Sequence, residues 1–159
     1  MKTIRSSIFE TNSSSVHAIV VSKTGKLDDI PKETNSVLKL FTSDFGWEIE
    51  TYRDFYSKLC YLLNGCQYDD NGYREKIEVF LYDLLGVDFI EYTPGYIDHN
   101  NIMDLLKYVT SDFNNFKQFL CCRNSFIQTG NDNCDNFEVN SAISEYSDKP
   151  DYEVFIKDN

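Results

Sequence analysis

A chain of 159 residues with 26 acidic and 15 basic side chains carries a formal net charge of -11, which disfavours a nucleic-acid surface because phosphate contacts need clustered Lys and Arg. A mean hydropathy of -0.42 without a long apolar run excludes a membrane span, and a hydrophobic fraction of 42% excludes a wholly disordered chain. The length suits one globular domain over 1–159, burying about two thirds of the unfolded surface.

The N-terminal Met1–Ser7 is basic but leads into no apolar leader, so the expected location is cytoplasmic. A polar turn, Phe9-Glu10-Thr11-Asn12-Ser13-Ser14-Ser15, then enters Val16-His17-Ala18-Ile19-Val20-Val21, a β-branched run that reads as a strand buried on both faces. Ser22–Ser36 reads as an exposed connection and Val37–Phe41 as a strand, interrupted by Phe45-Gly46-Trp47-Glu48. Tyr52, Phe55, Tyr56, Leu59, Leu62 and Leu63 share a helical face that ends at Gly65, and Ile77, Phe80, Leu81, Leu84 and Leu85 give a second helix ending at Gly86. These two helices are expected to form an antiparallel hairpin.

Val87–Tyr92 alternates as a strand, and Pro94-Gly95 turns it into Tyr96-Ile97-Asp98-His99-Asn100-Asn101. Two short helices follow, one through Ile102, Leu105, Leu106 and Val109 capped by Asn100 or Asn101, the other through Phe113, Phe116, Phe119 and Leu120 capped by Ser111 or Asp112. Ser125–Gln128 reads as a strand that ends in a third polar cluster, Thr129-Gly130-Asn131-Asp132-Asn133. Cys134 to Pro150 is acidic and polar and is expected to be a surface excursion before a closing strand through Tyr152, Val154 and Ile156. The order lacks regular strand–helix alternation, so the expected class is α+β, with a mixed or antiparallel sheet and about four helices.

The five cysteines, Cys60, Cys66, Cys121, Cys122 and Cys134, are odd in number and contain no Cys-x-x-Cys pair, so they are read as reduced thiols. No metal site is expected: His17 and His99 lie far apart, and a calcium loop begun at Asn131 would put Asn136 and Ala142 where glycine and glutamate are required. A known nucleotide-binding fold is not indicated, since neither a Walker loop nor a Gly-x-Gly-x-x-Gly run is present, and the residues leave any cofactor unknown.

Chemistry concentrates in the three polar clusters, each at the end of an expected strand, where rigid sheets commonly carry convergent sites. If the clusters meet, one pocket holds Arg5, Glu10, Asn12, Ser13, Ser15, His17, Glu48, Asp98, His99, Asn131 and Asp132. Ser13 or Ser15 with His17 or His99, oriented by Asp98 or Asp132, has the residue types of nucleophilic hydrolysis, although no Gly-x-Ser-x-Gly elbow accompanies them. An anion is the simpler ligand: Arg5 supplies charge, Asn12, Ser13, Ser15 and Asn131 supply hydrogen bonds, and Trp47, Tyr96 or Phe126 supply a stacking face. The plain alternative is a Ser-rich turn and a hydrogen-bonded core histidine.

As a set, Ile4, Arg5, Phe9 to His17, Phe45-Gly46-Trp47-Glu48, Tyr96-Ile97-Asp98-His99 and Thr129 to Asn133 resemble a group of small proteins from bacteriophages and Gram-positive bacteria. The resemblance covers residues 4–133 in patches, and the opening motif is its specific part. It implies a phage or mobile-element setting, in the cytoplasm of a bacterial host cell, and a shared polar constellation; no mechanism is carried over.

Two functions are therefore expected. The first is a phage-type accessory protein whose pocket binds, and processes if His17, Ser13, Asp98 and His99 supply acid–base and nucleophilic groups, a small anionic ligand such as a nucleotide. The second is an acidic inhibitor of a basic host defence factor, occupying a surface that otherwise binds nucleic acid. The acids are concentrated late, with residues 131–159 at net -6 against +3 for 1–26.

Overall fold

The computed structural model describes residues 15–32, 36–41, 43–46, 48–68, 70–98, 102–131 and 137–157. Along the chain run β1 (Ser15–Ser22), β2 (Val37–Leu40), β3 (Thr51–Tyr52), α1 (Phe55–Gly65), α2 (Tyr73–Leu85), β4 (Phe89–Tyr92), α3 (Met103–Ser111), α4 (Phe113–Cys121), β5 (Phe126–Asn131), α5 (Phe137–Tyr146) and β6 (Tyr152–Lys157). Among the described residues, five helices and six strands in two sheets form one α+β domain, in agreement with the expected class. No helix among the described residues is long and apolar enough to cross a membrane.

The main sheet has the order β3-β5-β1-β6, and all its pairings are antiparallel. Because side chains alternate along a strand, β1 sends Ile19 and Val21 into the main core with α1, α3 and α4, and sends Ala18 and Val20 into a second core with Phe126, Val139 and Ala142 beneath α5. Burial on both faces explains why the run is almost continuously apolar. Leu59, Leu62, Leu63, Leu106 and Phe116 complete the larger core, each worth about 2 kcal/mol relative to exposure.

Local signals set several helix ends. The Asp54 carboxylate caps α1 by accepting from the Ser57 N–H at 2.8 Å. Asp112, in extended backbone, both ends α3 and caps α4 by accepting from the Asn114 N–H at 2.7 Å. Gly86, at φ 71°, closes α2 in the left-handed conformation that glycine tolerates best.

α1 ends at Gly65, as expected; a Cβ there would sit 2.1 Å from Ile102 Cδ1, so the glycine also allows close packing. Three expectations are corrected. The acidic stretch before Pro150 contains α5, which covers the second core with Val139 and Ala142 despite its polar composition. Thr129, Gly130 and Asn131 belong to β5 itself, since they pair with His17, Val16 and Ser15. The first two helices do not chiefly pack on one another: α1 rests on α4 and α3, and α2 on α3.

The smaller sheet pairs β2 with β4 in parallel, Val37 opposite Phe89 through Leu40 opposite Tyr92. Farther on, Phe45 bridges Ile97 with the same offset, so the two segments stay in register beyond the strands. The Phe45 N–H donates to the Tyr96 carbonyl at 2.7 Å, and the Asp98 N–H to the Phe45 carbonyl at 3.2 Å. That ribbon carries Asp98 to the end of the main sheet where β1 begins.

Candidate functional site

Ser15 and His17 are on the same face of β1, beside the final residue of β6 and the final residues of β5: Ser15 is opposite Asn131, and His17 is opposite Thr129 on one side and Lys157 on the other. Asp98 arrives on the parallel ribbon. Its Oδ2 accepts the Ser15 N–H at 2.9 Å, its Oδ1 accepts the Tyr96 hydroxyl at 2.7 Å, and its carbonyl accepts the Ser15 hydroxyl at 3.3 Å. Lys157 Nζ then donates to the Ser15 carbonyl at 2.6 Å and to Ser15 Oγ at 2.8 Å. Ser15 is thus held between a carboxylate and an ammonium group in a centre where Ser15, His17 and Lys157 are each no more than 1% exposed.

His17 is fixed separately. Its Nε2 lies 3.0 Å from the Gly46 carbonyl, which can only accept, so Nε2 carries the proton; Nδ1, 2.9 Å from Tyr61 Oη, accepts the phenolic hydrogen. Burial holds the imidazole neutral, with its pKa lowered to about 4; Lys157 lowers it further, while the Gly46 hydrogen bond and Asp98 act the other way. Tyr61 is fully buried on α1, its phenol pushed above the ordinary range by burial, and it meets Phe45 edge-on at 5.0 Å. The ring that fixes His17 therefore also anchors the ribbon that delivers Asp98.

These contacts determine what the centre can do. Both nitrogens of His17 are engaged by Tyr61 and Gly46, and the Ser15 hydroxyl by Asp98 and Lys157, so Ser15, His17 and Asp98 do not form a nucleophilic relay. The centre is built to hold strand ends in place. Ser15, Asp98 and Asn131, from three separate polar clusters, are brought together, and Asn131 is itself engaged. Arg5, Glu10, Asn12, Ser13, Trp47, His99 and Asp132 lie outside the described residues. Phe126 is not a stacking platform, because it is buried with the Arg53 guanidinium 4.1 Å above its ring.

The open part of the site is a cleft of about 390 Å³ whose described lining is Asp44, Gly46, Glu48, Tyr96 and Asp98. Asp44 Oδ1 accepts the Tyr96 backbone N–H at 2.8 Å and holds this residue at the rim, where it is 57% exposed. The hydrogen bond to Asp98 raises the Tyr96 phenol pKa, and burial adds to this. Three carboxylates and a phenol line this cleft, and its described lining contains no cation. No group of three or more His, Cys, Asp or Glu side chains among the described residues is arranged to hold a metal ion.

Sequence reasoning missed Lys157, Tyr61, Asp44 and Gly46. Lys157 ends a strand whose preceding Ile156 is 51% exposed, and only the alternation about that position marks the lysine as inward. Gly46 contributes a carbonyl, which no side-chain pattern announces. Cys60, Cys66, Cys121 and Cys122 are free and buried, as expected for packing thiols, and burial raises the Cys121 pKa; Cys134 lies outside the described residues.

The fold and the site define an α+β protein with an internally satisfied polar centre beneath a carboxylate-lined cleft. Comparison with protein-family models gives no match, and neither comparison with curated proteins nor comparison with solved structures finds one.

Proposed function

We propose that this is a binding protein that presents carboxylates to a cationic surface, acting as an acidic inhibitor of a basic, nucleic-acid-binding host factor in the phage or mobile-element setting that the resemblance implies. The observation that carries this reading is the cleft at the end of the main sheet, where the exposed Asp44 and Glu48 flank the buried Asp98. The one described cation in the adjoining centre, Lys157, is buried and donates to Ser15, so it offers no open charge to an anion. A net charge of -11 extends the attraction beyond the cleft and steers a basic partner toward it.

The small-anion reading draws on a different observation: Ser15, Asp98 and Asn131 meet, and each borders in sequence a cluster rich in Ser, Asn and His. One experiment separates the two. Isothermal titration with hexalysine should show salt-dependent binding that Asp44→Asn combined with Glu48→Gln weakens about tenfold, about 1.4 kcal/mol shared between two exposed charges. Thermal unfolding against nucleotides, cyclic dinucleotides, NAD and sugar phosphates should show no shift. A shift of several degrees with one of these anions, abolished by Ser13→Ala, would overturn the cationic reading in favour of the anion pocket.

A further inference from the structure

Among the described residues the smaller sheet has two strands, β2 and β4, paired in parallel, whereas parallel sheets are ordinarily extended and covered. Leu38 and Ile90 face the core, while Lys39, Phe89 and Glu91 face outward, with Phe89 62% exposed. The β4 edge away from β2 is not bordered by another strand among the described residues. It opens instead onto a groove of about 390 Å³, walled by Arg74 and Glu78 of α2 on one side and by the continuous run Val87–Thr93 on the other.

The backbone on that side is arranged to receive a strand. The Phe89 N–H is directed to the Ser36 carbonyl on the β2 side at 3.2 Å, so alternation along the strand turns the N–H groups of Ile90 and Tyr92 toward the groove. The charge is also directional. Glu78, Asp88 and Glu91 border the groove; Arg74 pairs with Glu78 and Lys39 of β2 pairs with Glu91, each at 2.9 Å, which leaves one acid, Asp88, in excess there. A second copy of this chain is a poor occupant, since it would bring its own Asp88 and Glu91 to the interface and a net charge of -11 with it.

We propose that an extended, basic segment of the partner adds to the free edge of β4 as a third strand, seated between β4 and α2, with a cationic side chain over Asp88. This deepens the cationic-partner reading above and rests on it. The same ribbon continues through Tyr96 to Asp98, so a strand bound at β4 runs toward the carboxylate-lined cleft. Backbone hydrogen bonds would supply affinity without sequence preference, and the acids would select for charge.

The test uses the full chain, the octapeptide Lys-Val-Lys-Val-Lys-Val-Lys-Val and its Glu-Val counterpart, read by amide hydrogen exchange and titration. Saturating basic peptide should slow exchange at the Ile90 and Tyr92 amides about tenfold or more while leaving those of β1 unchanged, and the acidic peptide should not bind. Asp88→Lys, at an exposed position, should weaken binding about tenfold or more. Binding without protection at Ile90 and Tyr92, still sensitive to Asp44→Asn and Glu48→Gln, would overturn strand addition and leave the cationic reading standing. Failure of the basic peptide to bind at all would overturn both. Protection that grows with protein concentration in the absence of peptide would assign the edge to a second copy and overturn the proposed occupant.

Discussion

Acidification should destabilise this protein through one buried imidazole. His17 has a pKa lowered from 6.5 to about 4, chiefly by burial, so between those values the unfolded chain holds a proton that the folded chain does not. Stability therefore falls as pH drops through that window, and the full difference below it is about 3 kcal/mol. Between pH 7 and pH 5 the linkage accounts for about 2 kcal/mol. The structure supplies the cause: a charged ring would turn Nδ1–H against the Tyr61 hydroxyl and add a positive charge beside Lys157. Urea unfolding of the parent and of His17→Gln at pH 7, 6 and 5 isolates this contribution, because carboxylates titrate equally in both proteins. The parent's advantage over the variant should shrink by about 2 kcal/mol from pH 7 to pH 5. If the two proteins lose stability in parallel, the neutral, doubly engaged histidine is refuted.

Lys58 should behave in the same sense at alkaline pH. It is buried with its ammonium on the Cys122 and Ser125 carbonyls at 2.9 and 3.2 Å, and burial lowers its pKa to about 8. As pH rises from 8 toward 10.5 the parent should gain up to about 3 kcal/mol relative to Lys58→Met in matched denaturant titrations. Gly95→Ala should lower Tm by several degrees, since its Cβ would fall 2.2 Å from the Ser43 carbonyl oxygen and force apart the ribbon that holds Asp98, whereas Gly46→Ala, with nothing within 4 Å, should be close to neutral. Asp98→Ala should cost about 1–3 kcal/mol by leaving the buried Ser15 N–H without its acceptor. The same change should lower the Tyr96 phenol pKa, an effect that ultraviolet titration reads independently of stability.

How much of this was legible beforehand follows from the range of the interactions. β1 announces itself because a strand covered on both faces must be apolar at successive positions, and α4 and α2 announce their ends through Asp112 and Gly86, whose effects reach only a few residues. The α+β class follows from the order of such elements. By contrast α5 is hidden, because only Val139 and Ala142 of its ten residues are buried and its apolar pattern is correspondingly thin.

Sequence by itself determined the acidity of the chain, the central buried strand, and the presence of three polar clusters along the chain. Tertiary structure alone decided that Ser15, Asp98 and Lys157 share one centre, and that His17 spends its nitrogens on Tyr61 and the Gly46 carbonyl. It also decided that the open cleft beside them is lined by Asp44, Glu48 and Asp98. The reason is separation: Ser15 meets Asp98 across 83 positions and Lys157 across 142, and no periodicity or capping rule extends that far. Those contacts are selected only when the β1–β6 pairing and the parallel ribbon form together, because burying each of these polar groups requires the partners that the other segments deliver.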